Sequence, residues 1–189
     1  MKKLLLLCFI SLLSLNAQAE WKLNDDQSSV NYISIKKSTA GEVNHFNTLS
    51  GSLNNGDASV VIDLSSVETN IPIRNERMQK MLFEVSKYAS ATITTKFESS
   101  KLASLKVGER YQEKADLNLD LHGITKKIIA TVQVVKLSDS SVLVYSVHPV
   151  IINASDFGLA NGVEALREIA KLPVISAAIP VTFSLVFTK

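Results

Sequence analysis

Few residues of this chain have types and spacing suited to chemistry. The three histidines, His45, His122 and His148, are widely separated, with no pair at i, i+4 and no H-E-x-x-H context. That spacing gives a metal site no support. His122 reads as part of a turn and His45 as the start of a strand. His148 alternates with Ser146, Val150 and Ile152, which points it inward as a satisfied histidine. Serines are abundant, but no G-x-S-x-G elbow joins a strand to a helix, and no glycine-rich phosphate loop is present. Asp25-Asp26 lies in a polar turn and reads as solvated. Asp156, before Phe157-Gly158, either caps a turn or touches a ligand. Asn153-Ala154-Ser155 matches a glycosylation triplet, a pattern common by chance. Arg74 and Arg77 open a predicted helix. There a guanidinium beside free N–H groups either holds an anion or pairs on the surface with Glu76, Glu84 or Asp63. No set of titratable groups converges, so an enzyme is not expected.

The start of the chain explains its apparent basicity. Lys2-Lys3, the apolar run Leu4 to Leu15 and Ala17-Gln18-Ala19 form a secretory signal over residues 1–19, with cleavage expected after Ala19. Its apolar run is shorter than the ~20 residues a membrane helix needs, so stable membrane insertion is not expected. Its removal lowers the formal net charge from +2 to zero. A neutral chain without a basic run offers no footprint for nucleic acid. Cys8, the only cysteine, lies inside the signal after bulky Leu6 and Leu7, so neither lipid anchoring nor a disulfide is expected. Residues 20–189 then form one exported domain, periplasmic in a Gram-negative source.

Strands dominate that domain. Ala58, Val60, Ile62 and Leu64 alternate with other residues, as do Ala91, Ile93, Thr95 and Phe97. Ala115, Leu117, Leu119 and Leu121 give the clearest period of two, and His122-Gly123 supplies the turn that follows. Ile128, Ala130, Val132 and Val134 share a face, as do Ile179, Val181, Phe183, Leu185 and Phe187. Ser29 to Lys36 and Phe46 to Leu53 read as an opening hairpin. Val142 to Ile152 is apolar on both faces, which leaves its inner side undecided. Helical spacing follows Pro72, from Asn75 through Met78, Met81, Leu82 and Val85. It recurs from Gly162 until Pro173. Seven or eight antiparallel strands with one or two short helices define an all-β domain, either a closed barrel or a sandwich.

Four ordered segments resemble the YceI family. Ser66-Val67-Glu68-Thr69-Asn70-Ile71-Pro72-Ile73-Arg74-Asn75-Glu76-Arg77-Met78 is similar to its "V-T-N" strand end and "R-N/D-x-R/H-M/L" helix start. Leu82-Phe83 and Lys87-Tyr88-Ala89-Ser90-Ala91-Thr92 follow in the family's order, with Ala89 where a proline is usual. Ala115 to Lys126 resembles its "G-x-L-x-L-N-G-V-T-K" hairpin, and Ser155-Asp156-Phe157-Gly158-Leu159 its "R-x-D-F-G-L" element. The resemblance implies an extended, antiparallel, eight-stranded lipocalin-like barrel and an exported location. It also implies a long isoprenoid lipid held in the barrel, without catalysis.

On that reading Phe46, Met78, Leu82, Phe83, Phe97, Ile152, Phe157 and Phe183 are the candidate apolar pocket, and Arg74 and Arg77 its polar mouth. Each buried CH₂ contributes ~0.8 kcal/mol, so a few isoprene units suffice for tight binding. Arg74 and Arg77 would meet a phosphate or a quinone oxygen. No cofactor is expected beyond such a bound lipid or quinone. Two rivals stand beside carriage or sequestration. One is an accessory protein presenting an isoprenoid quinone to a membrane cytochrome. The other is a structural or stress protein whose barrel is filled by its own side chains. Whether barrels pair into a homodimer is left open.

Overall fold

The computed structural model describes residues 20–189; the signal-peptide reading of residues 1–19 lies outside the described residues. Twelve strand segments are present among them: β1 Trp21–Leu23, β2 Ser29–Lys36, β3 Ala40–Phe46, β4 Leu49–Asn54, β5 Asp57–Asp63, β6 Val67–Glu68, β7 Ser90–Lys96, β8 Arg110–Leu121, β9 Ile124–Ser138, β10 Ser141–Ser146, β11 Val150–Asn153 and β12 Ala178–Thr188. All pair antiparallel. Pairing of β1 with both β4 and β12 closes the sheet into a ring. The segments reduce to eight barrel strands, because β1/β2, β3/β4, β5/β6 and β10/β11 are each one path with a short break. The two halves of each path face the same neighbours. The barrel is therefore closed, eight-stranded and antiparallel, and a sandwich is excluded.

A break leaves ladder N–H groups without a backbone acceptor, and buried N–H groups must find another. Side-chain oxygens take that role at each break. Ser28 Oγ accepts from the Val186 N–H at 3.0 Å, where β1 gives way to β2. Asp25 Oδ1 accepts from the Leu49 N–H at 2.9 Å, and Ser66 Oγ from the Thr48 N–H at 3.0 Å, where β3 gives way to β4 and β5 to β6. Ser146 Oγ accepts from the Phe183 N–H at 3.1 Å, between β10 and β11.

The breaks account for the places where sequence and structure part. The first hairpin joins β2 to β3, not to Phe46–Leu53; that stretch straddles the break at Asn47-Thr48, with Phe46 ending β3 and Leu49 to Leu53 in β4. Val142 to Ile152 is two strands separated at residues 147–149, where Pro149 has no N–H to donate. His148 sits exposed in that bend and does not point into the barrel. His45 lies near the end of β3 rather than at a strand start, its Nε2 3.0 Å from Asn47 Oδ1.

Two tight hairpins use consecutive positive-φ residues, Asn55-Gly56 (48° and 89°) and His122-Gly123 (55° and 74°). That geometry matches the twist of the strands they join. Three short α-helices occur where one or two were expected: α1 Pro72–Arg77, α2 Ser99–Ser104 and α3 Ala160–Ile169. α1 begins at Pro72, which is preorganised for a first helical turn, rather than at Asn75. It runs into a π-turn over Met78–Leu82, closed by the Phe83 N–H donating to the Met78 carbonyl at 2.9 Å. α3 packs on this turn at Gly162, where a Cβ would lie 2.8 Å from both Leu82 Cα and the Met81 carbonyl oxygen. Only glycine allows so close an approach of the two backbones.

Candidate lipid-binding cavity

Alternation along most strands sends an apolar face inward. Ala58, Val60 and Ile62 of β5, Leu117, Leu119 and Leu121 of β8, and Ile179 through Phe187 of β12 all line one cavity of about 680 Å³. That volume suits a lipid-sized ligand. On β9 its wall runs from Ile128 to Val134, roughly 20 Å at ~3.4 Å per residue. The inner side of the β10–β11 path is now defined: Val142, Val144, Val150 and Ile152 face the cavity, and Ile151 is 52% exposed.

At one end α2 lies across the barrel, with Leu102 buried against the cavity. Nearby, Lys101 Nζ is 2.8 Å from Glu113 Oε2 and 4.1 Å from the centre of the Tyr111 ring. Burial, with help from Glu113 and Glu98, pushes the Tyr111 phenol up to about 12. At the other end the cavity opens between the β2–β3 hairpin, α1 and α3. Ile71, Ile73 and Ile169 line it there while remaining about half exposed.

Of the sequence-predicted pocket residues, the structure brings Phe46, Met78, Leu82, Phe83, Phe97, Ile152 and Phe183 onto the cavity wall. The π-turn places Met78, Leu82 and Phe83 on one face. Phe46 stands between Tyr32 and Phe83, with ring centres 5.6 and 5.9 Å away. Phe157 is a correction: it is 2% exposed but packs in the core behind the wall, in the turn Ala154–Phe157 before Gly158.

Arg74 and Arg77 both reach the open end. Arg74 does not pair with Glu76, Glu84 or Asp63. Its guanidinium donates to the Glu42 carboxylate and to the Thr69 carbonyl. Lys36 Nζ donates to the same Glu42 oxygen at 2.6 Å, so Glu42 neutralises part of this charge. Asn75 holds the helix start in place: its Oδ1 accepts from the Thr69 N–H at 3.0 Å, and its Nδ2 donates to Glu68 at 3.0 Å. The reading from sequence missed Tyr32, Glu42 and Asn44, which face the cavity beside Arg74. Their signal was a period of two in β2 and β3, with polar residues on the inner face.

Lys36, hydrogen-bonded to Glu42, holds that carboxyl below the usual carboxylate range against partial burial, and Arg74 adds to the effect. A lowered folded-state pKa stabilises the fold above the unfolded value and is lost as pH falls through the folded one. Glu42→Gln should therefore cost at most about 1 kcal/mol at pH 7, given its exposure. The difference from wild type should fade as the pH falls through the lowered pKa. Urea melts at stepped pH check it, and a difference that persists in acid would contradict the pairing.

A closed antiparallel barrel around a continuous, mainly apolar cavity, with polar groups at its ends, defines the class of lipocalin-like barrels. Within it, a sequence model of the YceI-like domain matches residues 21–187, and the chain belongs to the YceI family. A search of curated proteins found no match. Among solved structures, a polyisoprenoid binding domain from Saccharophagus degradans, implicated in plant cell wall breakdown, is 38% identical with a TM-score of 0.87. The match covers 89% of this chain and 97% of that one. Burkholderia cenocepacia BcnA (17% identity, TM-score 0.65, 87% and 98% covered) shares the fold. So does the Campylobacter jejuni YceI protein (17%, 0.58, 77% and 84%).

Proposed function

We propose that this protein is an exported carrier or sequestering protein that holds a polyisoprenoid, or a similar long-chain lipid, in its barrel. The observation that carries the reading is the 680 Å³ cavity, apolar through its middle, with its polar lining residues confined to the two ends. Such a wall rewards a hydrocarbon tail and offers nothing to a polar solute. The 38% identity to a polyisoprenoid binding domain supports the same chemistry. A cavity of this size favours a bound ligand over a barrel filled by its own side chains. Export would follow from the signal at residues 1–19, with the periplasm as destination. Among the described residues no helix is long and apolar enough to cross a membrane.

The test is mass spectrometry of an organic extract from protein purified after expression with its own signal. A stoichiometric isoprenoid is the expected result. A clean extract, repeated after incubation with isoprenoid quinones and polyprenyl phosphates, would remove the reading.

A further inference from the structure

Half-exposed aliphatic side chains border the open end of the cavity. Ile71 and Ile73, at the start of α1, are 45% and 51% exposed, and Ile169, ending α3, is 45% exposed. All three also line the cavity, so at these points its apolar wall runs out onto the surface. The border is held in place on its third side as well. At the tip of the β2–β3 hairpin the Lys37 N–H donates to the Val174 carbonyl at 3.1 Å, and the Ser176 N–H donates to the Ile35 carbonyl at 2.9 Å. Lone exposed hydrophobics need no explanation, but a group of them around a cavity mouth marks an interaction surface.

The charge around this mouth is mostly of one sign. Lys36, Lys37, Arg74 and Arg77 line it against Glu42. Lys36 and Arg74 share that carboxylate, and among the described residues Lys37 and Arg77 form no ion pair. Of the other carboxylates on α1 and α3, Glu76, Glu164 and Glu168, none lines the opening, and the last two pair with Arg167. Residues 20–189 carry no net charge, so the positive excess at the mouth is balanced elsewhere on the surface. We propose that the mouth docks on an anionic lipid bilayer, with Ile71, Ile73 and Ile169 entering the acyl boundary and Lys37 and Arg77 meeting lipid phosphates. This rests on the lipid-binding reading and adds the surface at which the lipid is exchanged. A tail leaving the cavity into water would expose each CH₂ the wall had covered, whereas a mouth seated on a bilayer passes it between two apolar media. Aliphatic side chains flanked by Lys and Arg suit the membrane interface, and such cations gain free energy beside an anionic leaflet. A protein interface would concentrate aromatic side chains and shed lysine, the reverse of this border.

The test is co-sedimentation of the protein, expressed with its own signal, with phosphatidylcholine vesicles that contain or lack one-third phosphatidylglycerol. Binding should be about tenfold stronger to the anionic vesicles and should fall as salt is raised. Ile73→Asp with Ile169→Gln should lower it by at least about tenfold. Both positions are half exposed, and an aspartate suits the first turn of a helix, so the melting temperature should stay near that of wild type. Should the variant fold poorly, single-cysteine labels decide. An environment-sensitive dye at Ile73→Cys should shift to the blue on anionic vesicles, and the same dye at Ala103→Cys, on α2 at the far end of the barrel, should not. No binding to the anionic vesicles, equal binding to both kinds, or a shift at the α2 label alone would overturn the docking. So would a dimer that the double variant disperses without any vesicle binding, which would give the mouth to a second copy of this chain. An isoprenoid in the organic extract beside any of these results leaves the lipid reading intact. A clean extract after incubation with lipids removes that reading, whatever the vesicles show.

Discussion

Leu82→Trp should reduce lipid uptake at least a hundredfold while leaving the barrel folded. Leu82 ends the π-turn at the open end and faces the cavity, half-buried. Its backbone cannot retreat, because Gly162 of α3 lies against its Cα. The added indole volume must therefore go into the cavity. Forcing volume into a packed core costs about 1–3 kcal/mol, whereas space already present takes it with little strain. The expected pattern is an unchanged circular dichroism spectrum, a melting temperature within a few degrees of wild type, and no isoprenoid in the extract. A large loss of stability with lipid still bound would mean that Leu82 packs a core and lines no cavity.

Phe157→Ala should do the opposite. Phe157 is 2% exposed and lies behind the cavity wall, where the chain leaves β11 for α3. Removing a buried phenylalanine side chain costs about 3–5 kcal/mol, from the lost transfer energy and the hole left behind. Domains of this size have about 5–15 kcal/mol in total, so the variant should melt roughly 10 °C lower. The fraction that remains folded should bind lipid with wild-type affinity. Together the two variants separate wall from core. Loss of affinity in Phe157→Ala without loss of stability would return that residue to the cavity.

Much of the barrel was legible because a barrel interior imposes a strict period of two. Ala115 to Leu121 and Ile179 to Phe187 alternate cleanly, and each inner residue does face the cavity. The breaks were not legible. They depend on Ser28, Ser66, Ser146 and Asp25 substituting for distant backbone acceptors, and nothing local marks those residues among many polar neighbours. The Asn55-Gly56 dipeptide was a strong hairpin signal that would have fixed the pairing of β4 with β5. At the site, the apolar wall followed from pattern, but Phe157 did not. In a turn, burial and cavity contact part company, and only three-dimensional placement separates them. The polar cluster was hidden for another reason. Ser34, Glu42 and Asn44 occupy inward positions where an apolar residue is the rule, and their partner Arg74 comes from a helix 30 residues further on.

The broken strands are distributed unevenly around the ring. β7, β8 and β9 run side by side without interruption, and β8 pairs with β9 over 12 successive residues. The interrupted paths occupy the rest of the circumference, with β12 running unbroken among them. The molecule thus has a stiff spine and a jointed flank. At each joint a serine or aspartate side chain carries the load, and a side chain can swing where a ladder bond cannot. A joint can open locally without unzipping the spine. Amide exchange should follow this division, slowest in β8 and β9 and faster at residues 24–28, 47–48, 64–66 and 147–149.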